Sequence, residues 1–118
     1  MGFSFVTEIP SPDVIRERFP LAPELAARKK ERDEEIKKII TGESDKLLVV
    51  VGPCSADNEE AVVDYVSRLV KVQEKTKDRL VIVPRVYTNK PRTTGLGYKG
   101  MLHQPDPEKK PSMAEGLH

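Results

Sequence analysis

Tryptophan is absent from this 118-residue sequence, and aromatic residues are few, three Phe and three Tyr. Large aromatic side chains contribute heavily to buried area, so any core must rest on aliphatic residues. Cysteine occurs once, at Cys54, which excludes an internal disulfide and fits a reducing, cytoplasmic setting. No charge sign dominates: 20 Lys and Arg against 19 Asp and Glu leave a net +1. Bulk charge therefore draws the chain to neither nucleic acid nor a membrane surface. Long apolar runs are missing as well. The longest, Leu47 to Val51, is far too short to span a bilayer. The first residues lack a basic stretch followed by an apolar one, so no signal peptide is expected. Gly2 lacks a Ser or Thr at position 6, where Val6 stands, so myristoylation is not expected either.

Proline punctuates the beginning. Pro10, Pro12, Pro20 and Pro23 predict extended or loosely turned chain over 1–23, with one or two helical turns from Asp13. Residues 24–41 favour a helix, with Pro23 at its first position and Gly42 as its stop. Its apolar stripe (Leu25, Ile36, Ile39, Ile40) is sparse, and Arg28 to Glu35 is almost all charge, a solvated face laced with weak salt pairs. The texture then changes. Lys46 to Val51 is apolar and β-branched and ends at Gly52-Pro53, which predicts a strand buried on both faces. Asp57 and Glu60 have capping-box spacing, and Val62, Tyr65, Val66, Leu69 and Val72 recur at helical steps. Residues 80–87 read as a second strand, with Pro84 near its end.

Strand, helix and strand over 46–87 make one βαβ unit with two parallel strands and a right-handed crossover. Two such strands cannot cover their own apolar faces, so the fold expected is α/β, with the sequence belonging to a larger domain. Two parts are expected: 1–45 as an N-terminal extension with one helix, and 46–118 as the βαβ segment with a binding loop. Residues 104–116 read as loop or disordered chain.

Three stretches carry chemistry. Gly52-Pro-Cys-Ser-Ala-Asp57 follows the first strand, where α/β barrels build their active sites. Cys54 there could bind a divalent metal or act as a nucleophile, or could be a buried structural residue behind a tight turn. Arg85 ends the second strand, and Lys90-Pro-Arg-Thr-Thr94 follows it. These cations and hydroxyls suit a small, doubly anionic ligand. A solvated basic loop is the plain alternative, except that a buried Arg85 would need a counter-anion. Gly95-Leu-Gly-Tyr-Lys-Gly100 permits close backbone approach but equally makes a flexible turn. His103 and His118 stand alone in loop-like sequence, where solvent exposure is expected.

Taken together, LLVVVGPCS and RVYTNKPRTTGLGYKGMLHQPDP resemble the class I, metal-dependent DAHP synthases over roughly Phe19 to Pro107. The resemblance implies a (β/α)8 barrel of which this sequence holds the N-terminal extension and first two strands. It implies condensation of phosphoenolpyruvate with erythrose 4-phosphate, the first step of aromatic amino-acid biosynthesis. Cys54 matches the family's metal-binding cysteine, for a divalent ion of the Mn, Fe, Co or Zn class. Arg85 and Lys90 match residues holding phosphoenolpyruvate, with Lys90 the catalytic candidate. Lys90, Pro91, Arg92 and Thr93 match those around erythrose 4-phosphate, with Arg92 on its phosphate. The extension implies a homo-oligomer and an aromatic amino-acid inhibitor.

There are departures. The family's other metal ligands, a His, a Glu and an Asp, lie in the later two-thirds of its barrel. His103 does not match that His, and the glycine-rich loop has one residue more than in some members. The sequence is therefore expected to be an incomplete enzyme, inactive alone. Its alternative is a non-catalytic regulatory or assembly fragment that joins a full-length homologue.

Overall fold

A computed structural model of the chain describes residues 2–5 and 7–118. The myristoylation reading turns on Met1 and Val6, which lie outside the described residues.

The helices begin and end where local chemistry places them. Helix α1 spans Pro12–Arg18, and Ser11 Oγ accepts the Val14 N–H at its start. Helix α2 spans Pro23–Ile40 with Pro23 at its first turn. It stops where Gly42 turns left-handed at φ +79° and the Glu43 N–H donates to the Lys38 carbonyl at 2.8 Å. The region before residue 45 thus holds two helices rather than one. The charged stretch of α2 faces solvent, with Lys29–Asp33 and Arg32–Glu35 pairs along it. Lys46 also reaches back to Glu35 at 2.9 Å, tying the helix to the start of the sheet.

Strand β1 covers Leu47–Val51 and strand β2 Leu80–Pro84, with helix α3, Glu59–Thr76, crossing between them. The strands pair in parallel from Leu47 opposite Leu80 to Val51 opposite Pro84. Helix α3 is capped by Asn58, whose Oδ1 accepts the Ala61 N–H at 2.9 Å, not by Asp57. The side chain one residue later reaches the first-turn donor, so the capping-box spacing from Asp57 misassigned the start. Strand β2 ends at Pro84, three residues before the predicted end: one more bond forms, from the Arg85 N–H to the Val51 carbonyl, and the next would need an N–H from Pro53, which has none.

Val81, 2% exposed, is the tightest point of the core between α3 and the sheet, and Ala56, in the loop after β1, is fully buried. The rest of the sheet is lightly covered. Leu47 is 66% exposed and Val50 60%, so within the described residues these apolar strands lack the second cover that their composition calls for. The radius of gyration is 18.0 Å, against about 13–14 Å for a compact domain of this length. The last stretch is more ordered than expected: turns follow residue 100, and α4 forms over Met113–Gly116 with Ser112 as its cap.

One glycine holds the strand ends together. A Cβ on Gly52 would stand 2.0 Å from the Arg85 carbonyl oxygen. Gly52→Ala should therefore push the ends of β1 and β2 apart and destabilise the fold by about 1–3 kcal/mol or more, read as a lower urea midpoint. Glu35 makes a second prediction. The hydrogen bond from Lys46 holds its carboxyl below the usual glutamate range, burial opposing and the charges of Lys46 and Arg32 assisting. A depressed folded value means this pair stabilises above about pH 4.3, the ordinary glutamate value, and stops doing so as pH falls through the folded value. Glu35→Gln should cost about 0.2–1 kcal/mol at pH 7 and progressively less as the pH falls below the ordinary glutamate value, measured by urea unfolding across that range.

Candidate functional site

The two strand ends continue side by side past the sheet. The Arg85 N–H donates to the Val51 carbonyl at 2.8 Å, and the Ala56 N–H donates to the Tyr87 carbonyl at 2.7 Å. These bonds set the Gly52–Asp57 loop against residues 85–87. Arg85 lies just beyond β2 and is exposed, not buried in the strand. Its guanidinium donates to the carbonyls of Pro53, at 2.9 Å, and Cys54, at 3.4 Å, and stacks on the Tyr87 ring at 4.6 Å. Main-chain oxygens and an aromatic face thus hold this cation, so it needs no buried counter-anion. Cys54 is exposed, which removes the buried structural reading of it.

The next segment folds back on itself. The Lys90 N–H donates to the Lys99 carbonyl at 3.1 Å, and the Leu102 N–H donates to Thr88 at 2.9 Å. Gly100 makes this possible: it is buried at φ +91°, and a Cβ there would meet the Thr88 carbonyl at 2.5 Å. The glycine-rich stretch is therefore a close-approach element rather than a free turn. Gly97, at φ +86°, lies under the Arg92 guanidinium, whose Nε donates to the Tyr98 carbonyl at 2.9 Å. Gln104 fastens the far side. Its Oε1 accepts the Lys99 N–H at 3.1 Å, and its Nε2 donates to the carbonyls of Pro107 and Lys109.

The fold-back leaves a shallow cleft of about 300 Å³ lined by Asn89, Lys90, Pro91, Arg92, Lys99, His103 and Pro111. Three of these side chains are cationic and none is acidic. Arg92 keeps both terminal nitrogens without a protein partner among the described residues, and Lys99 Nζ leans on the Gly95 carbonyl. Lys90 Nζ lies 3.7 Å from Cys54 Sγ, so the two strand-end loops meet at this pair. Pro91 and Thr93 are exposed on the same loop, and no hydrogen bond of the Thr93 side chain is found among the described residues. The structure thus groups Cys54, Arg85, Lys90 and Arg92, with Pro91 and Thr93 beside them.

Lys99 and His103 belong to the cleft although the sequence singled out neither for it. The available signal was the glycine spacing ahead of them, which lets the chain double back. His103 is half-buried in the cleft wall rather than solvent-exposed. His118 is exposed, as expected, and meets Arg18 at 3.2 Å and the Phe19 ring edge-on. Tyr98 has a buried hydroxyl without a partner among the described residues. Burial, and secondarily the Asp57 carboxylate, push its phenol upward, so it remains a neutral donor.

A divalent metal finds too few ligands here. Cys54 is the one thiol, its neighbour is a Lys ammonium, and no group of three or more His, Cys, Asp or Glu converges among the described residues. Closed metal sites take four ligands, so these residues alone do not hold an ion. No helix among the described residues is long and apolar enough to cross a membrane.

Known proteins share this fold. The profile of the DAHP synthetase I family matches residues 24–117. Phospho-2-dehydro-3-deoxyheptonate aldolase from Haemophilus influenzae is 42% identical over 100 residues, covering 85% of this chain and 27% of the relative. The Phe-sensitive enzyme of that name from Escherichia coli K12 is 38% identical over 112 residues, covering 95% of this chain and 32% of the relative. The structure of the aldolase from Francisella tularensis superposes with a TM-score of 0.86 at 30% identity, over 98% of this chain and 33% of that one. The chain therefore spans about a third or less of the length of these relatives. Its two parallel strands with their crossover helix form part of a barrel of the kind that family builds, and the chain belongs to the DAHP synthetase I family.

Proposed function

We propose that this chain supplies the anion-binding strand ends of a 3-deoxy-7-phosphoheptulonate synthase. That enzyme joins phosphoenolpyruvate to erythrose 4-phosphate and releases phosphate at the entry to aromatic amino-acid biosynthesis. The observation that carries the reading is the acid-free cleft holding Lys90, Arg92 and Lys99, joined to the Cys54 loop through the 3.7 Å Lys90–Cys54 contact. Both substrates are phosphorylated, and a cleft of uncompensated cations favours them.

The roles are those that the family resemblance implies, and the positions are compatible with them. Arg92, with two unpartnered guanidinium nitrogens, is suited to the phosphate of erythrose 4-phosphate, with Pro91 and Thr93 shaping the same loop. Arg85 and Lys90 stand on the side of the Cys54 loop and are suited to phosphoenolpyruvate. Lys90 is the catalytic candidate, because its ammonium lies between the cleft and Cys54 and can hold the developing negative charge where the two substrates meet. A divalent ion of the Mn, Fe, Co or Zn class would polarise the aldehyde carbonyl when bound. Cys54 is proposed as one ligand of it, the remainder coming from residues outside this chain. In the complete enzyme we place the reaction in the cytoplasm, in a homo-oligomer inhibited by an aromatic amino acid. The Phe-sensitive relative supports that inhibition.

A second reading has its own observation: Leu47 and Val50 remain widely exposed. Surfaces of this kind suit association with a complete homologue, and the chain would then act as an assembly partner. Mixing with such an enzyme should change its sedimentation if that reading holds, and leave it unchanged if not.

Calorimetric titration with phosphoenolpyruvate and with erythrose 4-phosphate tests the main reading. Arg92→Ala should weaken erythrose 4-phosphate binding by about tenfold or more, the worth of one charged hydrogen-bonded pair, and affect phosphoenolpyruvate less. Identical heats for parent and variant would contradict a specific site.

A further inference from the structure

Among the described residues strand β2 has one strand neighbour and therefore one outer edge. In a parallel pair, alternate residues turn their main-chain groups to the same side. The Leu47 N–H donates to the Arg79 carbonyl, and the Arg85 N–H to Val51. Residues 79, 81, 83 and 85 therefore address β1, and Leu80 and Ile82 address the outer edge. A strand arriving there would bond first to the Leu80 carbonyl and the Ile82 N–H.

Gln73 already holds both. From the last turns of α3, its Nε2 donates to the Leu80 carbonyl at 2.8 Å. Its Oε1 accepts the Ile82 N–H at 2.6 Å. Gln73 is 8% exposed and is the buried polar residue among the described ones. A carboxamide presents an N–H donor and a C=O acceptor side by side on one planar group, as the N–H and C=O of a single strand residue are presented to a neighbouring strand. Glutamate would lack the donor, and an aliphatic residue both groups. Val66, Leu69, Val70 and Ile82 lie beside it, with Lys29, Arg32 and Glu74 lining the same groove, and at this burial an unpaired carboxamide would be costly. The side chain thus occupies the place of one residue of a third strand.

We propose that Gln73 is a strand gate. It closes the outer edge of β2 against strand addition, and a third strand can pair there only after the carboxamide swings out. In a solution of this chain, the strand it keeps off is the sheet edge of a second copy. Exposed strand edges otherwise template such pairing.

Amide hydrogen exchange and sedimentation on the full chain test this together. In the parent, the Ile82 amide should exchange about as slowly as that of Val83, which addresses β1. In Gln73→Leu, similar in bulk, Ile82 should exchange about tenfold faster or more, the loss of roughly one hydrogen bond, with Val83 little changed. The variant should also self-associate at lower concentration than the parent. Ile82 unprotected in the parent, or still protected in Gln73→Leu, overturns the proposal. So does unchanged self-association, since Gln73 would then be only a structural bond. If Gln73→Leu loses protection at Val83 as well, Gln73→Glu decides. It keeps the acceptor, so at pH 7 Ile82 should stay protected while self-association rises; loss of Ile82 protection there, or no rise, overturns the gate.

Discussion

The Arg85 N–H donates to the Val51 carbonyl at 2.8 Å, carrying the parallel pairing one residue past the end of β2. Everything in the cleft is placed from that bond. It requires Gly52 opposite, because no Cβ fits against the Arg85 carbonyl. With the two chains this close, the guanidinium of Arg85 reaches the Pro53 and Cys54 carbonyls and fixes the loop that presents the thiol. The Ala56–Tyr87 bond closes the same loop from its other end and buries Ala56 completely. A parallel pair in fixed register therefore converts two stretches more than thirty residues apart into one surface.

The second half of the cleft has a different origin. Residues 88–102 contain no strand, yet main-chain bonds at Lys90 and Leu102 and the positive-φ glycines hold them in a tight double-back. Gln104 spends its whole carboxamide on fastening that turn. The outcome is a cationic lining without a carboxylate in it. Cations gathered this way repel one another and gain most from a ligand carrying several negative charges. Two side-chain carboxamides, Gln73 and Gln104, thus stand in for missing backbone neighbours, one at the sheet edge and one in the loop.

Much of this was legible in the residues. The β-branched run at Leu47–Val51 and the three- and four-residue steps from Val62 state the βαβ unit directly, because burial imposes those periods. Pro23 and Gly42 marked α2, since proline fixes its own φ at a first turn and glycine accepts the left-handed turn that stops a helix. The grouping of Cys54 with Lys90 was legible only through family resemblance, as no local rule relates residues 36 apart. Three features escaped for physical reasons. The stop of β2 at Pro84 depended on Pro53, across the ladder, having no N–H to continue it past Arg85, against the β propensity of Val86 and Tyr87. The choice of Asn58 over Asp57 as cap depended on one residue of helix phase. The place of Lys99 and His103 in the cleft depended on a fold-back that glycine permits but does not specify. Arg85 was tied to a buried strand by pattern, whereas carbonyl oxygens and the Tyr87 ring hold it in the open.

The central claim is that the cations at the two strand ends, rather than those along α2, form the anion site. The chain has 20 Lys and Arg in all, so binding alone does not separate the two. Backbone amide shifts recorded while phosphoenolpyruvate is added do. Under the proposed function the shifts gather at Cys54–Ala56, Arg85 and Asn89–His103 and saturate together. Shifts spread over Arg28–Lys38, or scattered without saturation, would contradict it.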